Sequence, residues 1–233
     1  MSKDVIIALD FSTKEAAMDF LNAFTGEKPF VKVGMELYYS AGPELVRELK
    51  ARGYRVFLDL KLHDIPNTVK KTMAVLAGLG ADMCNLHAAG GLAMMEAALE
   101  GFRSGGGSGK LIAVTQLTST SQAVMENELL IGGRLEDVVL SYAENAKRAG
   151  LDGVVCSPLE AFAVKNRCGE DFLTVTPGVR FADGTVGDQV RVTTPERAGQ
   201  LGSDYIVMGR PITGAENPVA AYERARKEFL GVN

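Results

Sequence analysis

The sequence predicts an α/β fold, a (β/α)8 TIM barrel forming a single domain over residues 1–233. Short runs rich in Val, Ile and Leu alternate with amphipathic stretches, the pattern of strands and helices around a parallel sheet. The alternation repeats eight times, about 29 residues per unit, close to the roughly 250-residue size of such barrels. Polar residues also gather at the C-terminal ends of nearly all the strand runs, the face on which barrels carry active sites. A doubly wound open sheet shares the alternation, because strand order is not written in hydrophobic pattern. The converging polar ends favour the barrel.

The strand runs are VIIAL from Val5, FVKV from Phe30, RVFLDL from Arg55, MCNLH from Met83, LIAVTQL from Leu111, GVVCS from Gly153, FLTVTP from Phe172 and YIVMG from Tyr205. A turn signal and helix-compatible sequence follow each. Ser12 reads as the cap of TKEAAMDFLNAF, with Glu15 three residues on, and GPELVRELKARG has Pro43 near its start and Gly53 just past its end. No linker interrupts the series, which is why one domain is expected. The strand-end polar residues are Asp10, Lys32, Asp59 with Lys61, His87, Thr118, Ser157, Arg180 and Arg210.

Apolar residues make up 46% of the chain and charged ones 23%, ordinary for a folded soluble protein. A net charge of −4 gives no general pull toward nucleic acid, so an anionic ligand needs locally placed cations. Cys84, Cys156 and Cys168 form no C-x-x-C pair, and an odd number cannot all pair within one chain, which fits a reducing cytoplasm. The five-residue apolar run before Asp10 is too short for a signal-peptide core or a membrane span, so neither export nor anchoring is expected.

The run FLDLKLHDIPNTV, residues 57–69, departs from a buried strand in carrying Asp59, Lys61 and Asp64. Strand side chains alternate faces, so Asp59 and Lys61 share one face while Leu58, Leu60 and Leu62 share the other. Charges under the helices would be the costlier arrangement, which places Asp59 and Lys61 inside the barrel near its mouth. By the same alternation Lys32, between Val31 and Val33, points inward from the second strand. A structural ion pair closing the mouth would need only one Asp and one Lys. Here a second lysine comes from the neighbouring strand, Asp64 follows, and Pro66 stops the strand, which favours chemistry.

The seventh strand runs into TPGVR and the eighth into VMGRPIT, and loops after those strands bind phosphate in many barrels. Gly209 permits close backbone approach, and Arg180 and Arg210 supply forked charges. FADGTVGDQV, residues 181–190, reads as a lid over a bound phosphate. SGGGSGK, from Ser104 to Lys110, lacks the first glycine and the final Ser or Thr of a nucleotide loop and reads as a flexible loop. His63 and His87 are the only histidines and have no zinc spacing. Asp59 with Asp64 offers Mg²⁺ two carboxylates, but Lys61 and Lys32 compete with a cation there, so no metal and no cofactor is expected.

These residues resemble the orotidine 5′-phosphate decarboxylase family. The likeness runs through IIALDF, FVKVGMEL, FLDLKLHDIPNTV, NLHAAGG, AVTQLTST, DGVVCS, TVTPGVR, DQVRV and IVMGRPIT, nearly the full length. The D-x-K-x-x-D run also occurs in related Mg²⁺-dependent sugar-phosphate enzymes, the hexulose-phosphate synthase and ketogulonate-phosphate decarboxylase branch. That branch carries a metal-binding glutamate where this chain has Lys32. The resemblance implies conversion of orotidine 5′-monophosphate to UMP and CO2, with Lys32, Asp59, Lys61 and Asp64 as the catalytic array and Lys61 delivering the proton. It further implies a homodimer in which Asp64 and Thr68 reach the other subunit's site. Asp10 and Lys32 are implied at the ribose hydroxyls, Thr118 near the pyrimidine, and Arg180, Gln189, Gly209 and Arg210 around the phosphate. A non-catalytic sensor of phosphate ligands would keep the arginines but has no use for Asp59, Lys61 and Asp64 together.

Overall fold

The computed structural model describes residues 3–183 and 193–232. Eight parallel strands close into a barrel in chain order: β1 (Asp4–Ala8), β2 (Phe30–Gly34), β3 (Arg55–Leu62), β4 (Met83–His87), β5 (Lys110–Val114), β6 (Gly153–Val155), β7 (Leu173–Thr176) and β8 (Tyr205–Met208). Strand β8 pairs back onto β1, which excludes the open sheet. Each strand overlaps its expected run. LIAVTQL leaves the sheet after Val114 because the residues from Gln116 onward turn to line the barrel mouth.

The connecting helices are α1 (Lys14–Leu21), α2 (Met35–Ala41), α3 (Pro43–Ala51), α4 (Pro66–Ala77), α5 (Leu92–Ser104), α6 (Gln122–Asn127), α7 (Leu135–Arg148), α8 (Ala161–Cys168), α9 (Pro195–Gln200), α10 (Arg210–Thr213) and α11 (Pro218–Leu230). Pro43 opens α3 as expected, since its missing N–H would have no helical partner there. The cap of α1 is Thr13 rather than Ser12: Thr13 is extended and its side chain accepts from the Ala16 N–H. The carbonyl of Ser12 instead accepts from the Ser40 hydroxyl at 2.7 Å, which ties it to α2. Among the described residues no helix is long and apolar enough to cross a membrane.

The SGGGSGK run joins the end of α5 to the start of β5 in a largely exposed turn whose backbone approaches other segments at two glycines. A Cβ at Gly105 would collide with the Ala74 carbonyl of α4, and one at Gly109 would stand 2.6 Å from the Ala81 carbonyl. Gly105 and Gly109 thus serve close approach of backbones, whereas Gly106 supplies a φ of 82° and Gly107 lies against the Phe102 ring.

Strand alternation divides the core into two layers. Ile6, Phe30, Phe57, Met83, Ile112, Val175 and Val207 fill the barrel interior, while Val31, Val33, Leu58 and Leu60 belong to the larger cluster between strands and helices. Each fully buried aliphatic side chain contributes about 1.5–3 kcal/mol. A one-residue slip of β3 would exchange Leu58 and Leu60 for Asp59 and Lys61 in the outer layer, so the register is strongly held.

The N-terminal ends of the strands carry a recurring clasp. Asp82, Asp152 and Asp204 stand just before β4, β6 and β8, and each donates its own N–H to, and accepts a side-chain bond from, one residue of the preceding strand: Val56, Leu111 and Thr174 respectively. A lysine completes each: Lys50 at 2.5 Å, Lys110 at 2.9 Å and Lys165 at 2.7 Å. Lys165 is only 5% exposed, so its pair with Asp204 is a buried one. Removing one partner of a buried pair strands the other charge. Asp204→Ala is expected to destabilise the barrel by about 3–5 kcal/mol, read as a lower midpoint in urea unfolding, whereas Asp152→Ala beside the half-exposed Lys110 should cost about 1 kcal/mol or less in the ion pair.

Candidate active site

At the opposite face four side chains form a row of alternating charge. Asp10 follows β1, Lys32 points inward from β2, and Asp59 and Lys61 point inward from β3. The Lys32 ammonium lies 3.2 Å from Asp10 Oδ1 and 3.4 Å from Asp59 Oδ2, and the Lys61 ammonium lies 2.7 Å from Asp59 Oδ1. Asp59 is thus held on both oxygens. Burial by itself would raise its pKa, but Lys32 and Lys61, with hydrogen bonds from Lys61 and Asn85, outweigh it and hold the carboxyl below its ordinary value. Burial likewise opposes the charge on Lys32, yet Asp59 and Asp10 outweigh that and leave its pKa above the ordinary lysine value.

The backbone of β3 is irregular where these charges stand. Leu58 pairs with Cys84 and Leu62 with Leu86, so four steps along β3 face two along β4. Within the bulge Lys61 adopts φ 50°, a left-handed conformation that costs a non-glycine residue of order 1–3 kcal/mol. The Lys61 N–H donates to Asn85 Oδ1 at 2.8 Å, and Asn85 Nδ2 donates to Asp59 Oδ1 at 2.6 Å. Bulges re-aim side chains beside active sites, and this one aims Lys61 into the mouth.

The row lines a cavity of about 310 Å³. Thr118, from the loop after β5, lines it too, as do Arg180 after β7 and Gly209 with Arg210 after β8. Eight expected site residues, Asp10, Lys32, Asp59, Lys61, Thr118, Arg180, Gly209 and Arg210, therefore share one cavity. A Cβ at Gly209 would stand 3.3 Å from Asp10 Oδ2, so the glycine leaves room beside that carboxylate. Val179 bridges to Thr193, and the Arg180 N–H donates to the Thr193 carbonyl.

Other expectations fall elsewhere. Asp64 and Thr68 are exposed at the β3–α4 junction and do not line this cavity; Asp64 accepts from the Ile65 N–H at 2.7 Å, and Ile65 between them is 66% exposed. Gln189 and residues 184–190 of the expected lid lie outside the described residues. Ser157, counted among the strand-end polar groups, is engaged in a capping box with Glu160. His87 does not line the cavity but packs against His63, with ring centroids 5.6 Å apart. Burial, with His63 and Lys61 acting in the same sense, pushes the His87 pKa below its ordinary value. Sequence reasoning passed over Gln116, which lines the cavity, and Asn85, although alternation with Met83 already places Asn85 inward.

The family model described as "Orotidine 5'-phosphate decarboxylase / HUMPS family" matches residues 3–225. The chain belongs to this family. Among relatives named orotidine 5′-phosphate decarboxylase, that of Geobacillus sp. (strain WCH70) is 57% identical over 235 residues, covering 99% of this chain and 98% of its own. That of Bacillus cytotoxicus (strain DSM 22905 / CIP 110041 / 391-98 / NVH 391-98) is 56% identical over 236 residues. A crystal structure of orotidine 5′-phosphate decarboxylase from Lactobacillus acidophilus superposes with a TM-score of 0.88 at 45% identity, covering 98% of this chain and 99% of that one. An uncharacterized conserved protein from Geobacillus kaustophilus does so at 0.86 and 51%, covering 97% and 99%. In this member of the orotidine 5′-phosphate decarboxylase / HUMPS family, the charged row and the arginine-bearing loops thus occupy one barrel mouth.

The charge row also sets a pH dependence of stability. Asp59, its pKa lowered by folding, contributes stability that is present above the ordinary carboxylate value and lost as pH falls through the folded value. Lys32, its pKa raised, contributes stability that is present below the ordinary lysine value and lost as pH rises through the folded value. Asp59→Asn is expected to be less stable than the native chain by an amount constant from about pH 6 to 9 and shrinking below about pH 4, measured from unfolding midpoints across that range.

Proposed function

We propose that this chain decarboxylates orotidine 5′-monophosphate to UMP and CO2, the last step of de novo UMP synthesis, with no metal or cofactor. The observation that carries this reading is the Asp10–Lys32–Asp59–Lys61 row facing a cavity whose other wall bears Arg180 and Arg210. Loss of CO2 from C6 of the pyrimidine leaves the bonding electron pair on that carbon, with no conventional sink. A cation beside C6 stabilises the developing charge, and a proton then quenches it. Lys61 supplies both: its Nζ–H proton goes to C6, and the amine left behind regains a proton from water. Lys32 holds the second oxygen of Asp59 and, with Asp10, serves the ribose hydroxyls.

Thr118 is assigned to the pyrimidine. Arg180, Gln189, Gly209 and Arg210 are assigned to the phosphate, whose binding energy, remote from C6, can be spent on the transition state. The metal-free reading is supported by the two ammonium groups on Asp59, which supply the positive charge that a cation otherwise would. Lys32 itself stands against the Mg²⁺-dependent branch of the family.

The working unit in this reading is a homodimer of one-domain barrels, in which Asp64 and Thr68 serve the partner's cavity. Their exposure, with Ile65 between them, supports an interface at the β3–α4 junction. A cytoplasmic setting is supported by an odd number of cysteines, three, all of them buried; burial pushes the Cys84 thiol up to about 12, an inert core group. The net charge of −4 offers nothing general to nucleic acid, and no membrane role is proposed.

Lys61→Ala is expected to lower kcat for CO2 release by about 10³-fold or more while UMP still binds in titration calorimetry. Near-native turnover would remove Lys61 as proton donor. Mixing inactive Lys61→Ala with inactive Asp64→Ala is expected to regain activity, because hybrid dimers contain one intact site. No recovery after verified subunit exchange would place Asp64 outside the shared site.

A further inference from the structure

Strand β4 is exceptional among the eight. Every other strand contributes a residue to the described lining of the cavity, and β4 contributes none. Its inward residue above Met83 is Asn85, 1% exposed and packed beneath the bulge of β3. An amide buried in a strand is usually there to satisfy local backbone. Here both of its recorded partners belong to the charge row: it accepts from the Lys61 N–H at 2.8 Å and donates to Asp59 Oδ1 at 2.6 Å.

The direction of the amide follows from its partners. A backbone N–H only donates, so the Asn85 oxygen must face Lys61, and the amide nitrogen must then face Asp59. That nitrogen also only donates, so Asp59 Oδ1 must accept. The same oxygen accepts from the Lys61 ammonium at 2.7 Å, and Oδ2 faces the Lys32 ammonium at 3.4 Å. Every recorded neighbour of the Asp59 carboxylate is a donor, which a protonated carboxyl would oppose.

We propose that Asn85 is a positioning residue for the reaction: one amide ties the left-handed backbone of Lys61 to the carboxylate that holds the Lys61 ammonium, so the proton donor is fixed at both ends. Without it, the N–H of the bulge loses its acceptor where the β3–β4 ladder has slipped, and the Lys61 side chain is steered from one end only. Asn85 touches no substrate in this arrangement and acts through Lys61 and Asp59. The inference rests on the reading of those two as the reacting array.

The charged and titratable groups facing Asp59 are Lys32 from β2, Lys61 from β3 and His87 from β4, with Asp10 reaching it through Lys32. Lowering of the Asp59 pKa draws on the Asn85 hydrogen bond as well as on the lysines. Loss of the amide therefore leaves a distinct signature: the carboxyl of Asp59 should titrate at higher pH.

Two variants and the native protein test this. Asn85→Leu keeps the number and branching of the side-chain heavy atoms and Asn85→Ala removes all but Cβ; both delete the two bonds. Each is expected to lower kcat about a hundredfold while the Kd for UMP changes less than about threefold. The acid limb of the kcat/KM profile should move to higher pH, together with the Asp59 titration followed by carboxyl ¹³C NMR. Native-like kcat with an unmoved Asp59 titration in either folded variant overturns the proposal, as does an equal loss of UMP affinity and kcat. In native protein both Asn85 side-chain amide protons should resist exchange with solvent, and rapid exchange overturns it without any variant. Absence of turnover in the native chain would instead defeat the proposed decarboxylation, while the Asp59 titration still decides whether Asn85 couples to it.

Discussion

A carboxylate taken out of water at the mouth of the barrel, Asp59, accepts an ammonium group on each oxygen, and the organisation of the site follows from keeping that charge in place. An unpaired buried carboxylate would cost several kcal/mol or take up a proton. Lys32 therefore has to come inward from β2, Asp10 has to balance Lys32 from β1, and Lys61 has to turn back onto Asp59 from two residues further along the same strand. A regular strand would carry Lys61 onward along the barrel wall. The bulge and the left-handed backbone of Lys61 are the local cost of bringing its ammonium to 2.7 Å from Asp59.

The two ends of the barrel use the same pair of residue types differently. At the N-terminal ends, Asp82, Asp152 and Asp204 each join a backbone N–H and a lysine of their own, a closed arrangement that fastens adjacent strands. At the C-terminal ends the charges form a chain, Asp10 to Lys32 to Asp59 to Lys61, along the wall of a cavity. The first arrangement stabilises strand pairing. The second leaves charged groups facing space where a ligand fits, in keeping with the division of labour between the faces of such barrels.

Period-2 alternation made the inward face of β3 legible from the sequence, because charges among leucines leave few acceptable arrangements. The eight units were legible from the alternation of strand and helix patterns, and Asp10, Thr118, Arg180 and Arg210 from their places at the strand ends. Other features depend on contacts between segments distant in sequence. Asn85 is an unremarkable amide in MCNLH until the slipped pairing of β3 sets it below Lys61. Ser157 looked like a strand-end polar group, but its neighbour Glu160 draws it into a cap. Thr13 took the capping role expected of Ser12, a one-residue difference that local sequence does not decide. The packing of Gly105 and Gly109 is not legible locally because the carbonyls they approach, those of Ala74 and Ala81, come from other segments.

The central claim, that lysines rather than a metal ion serve the Asp59 carboxylate in a decarboxylase of orotidine 5′-monophosphate, is most directly tested by following the ultraviolet absorbance of that nucleotide with native protein, with and without EDTA. Conversion to UMP at the same rate in both is the result expected. Conversion that the chelator silences, or none at all, would contradict it.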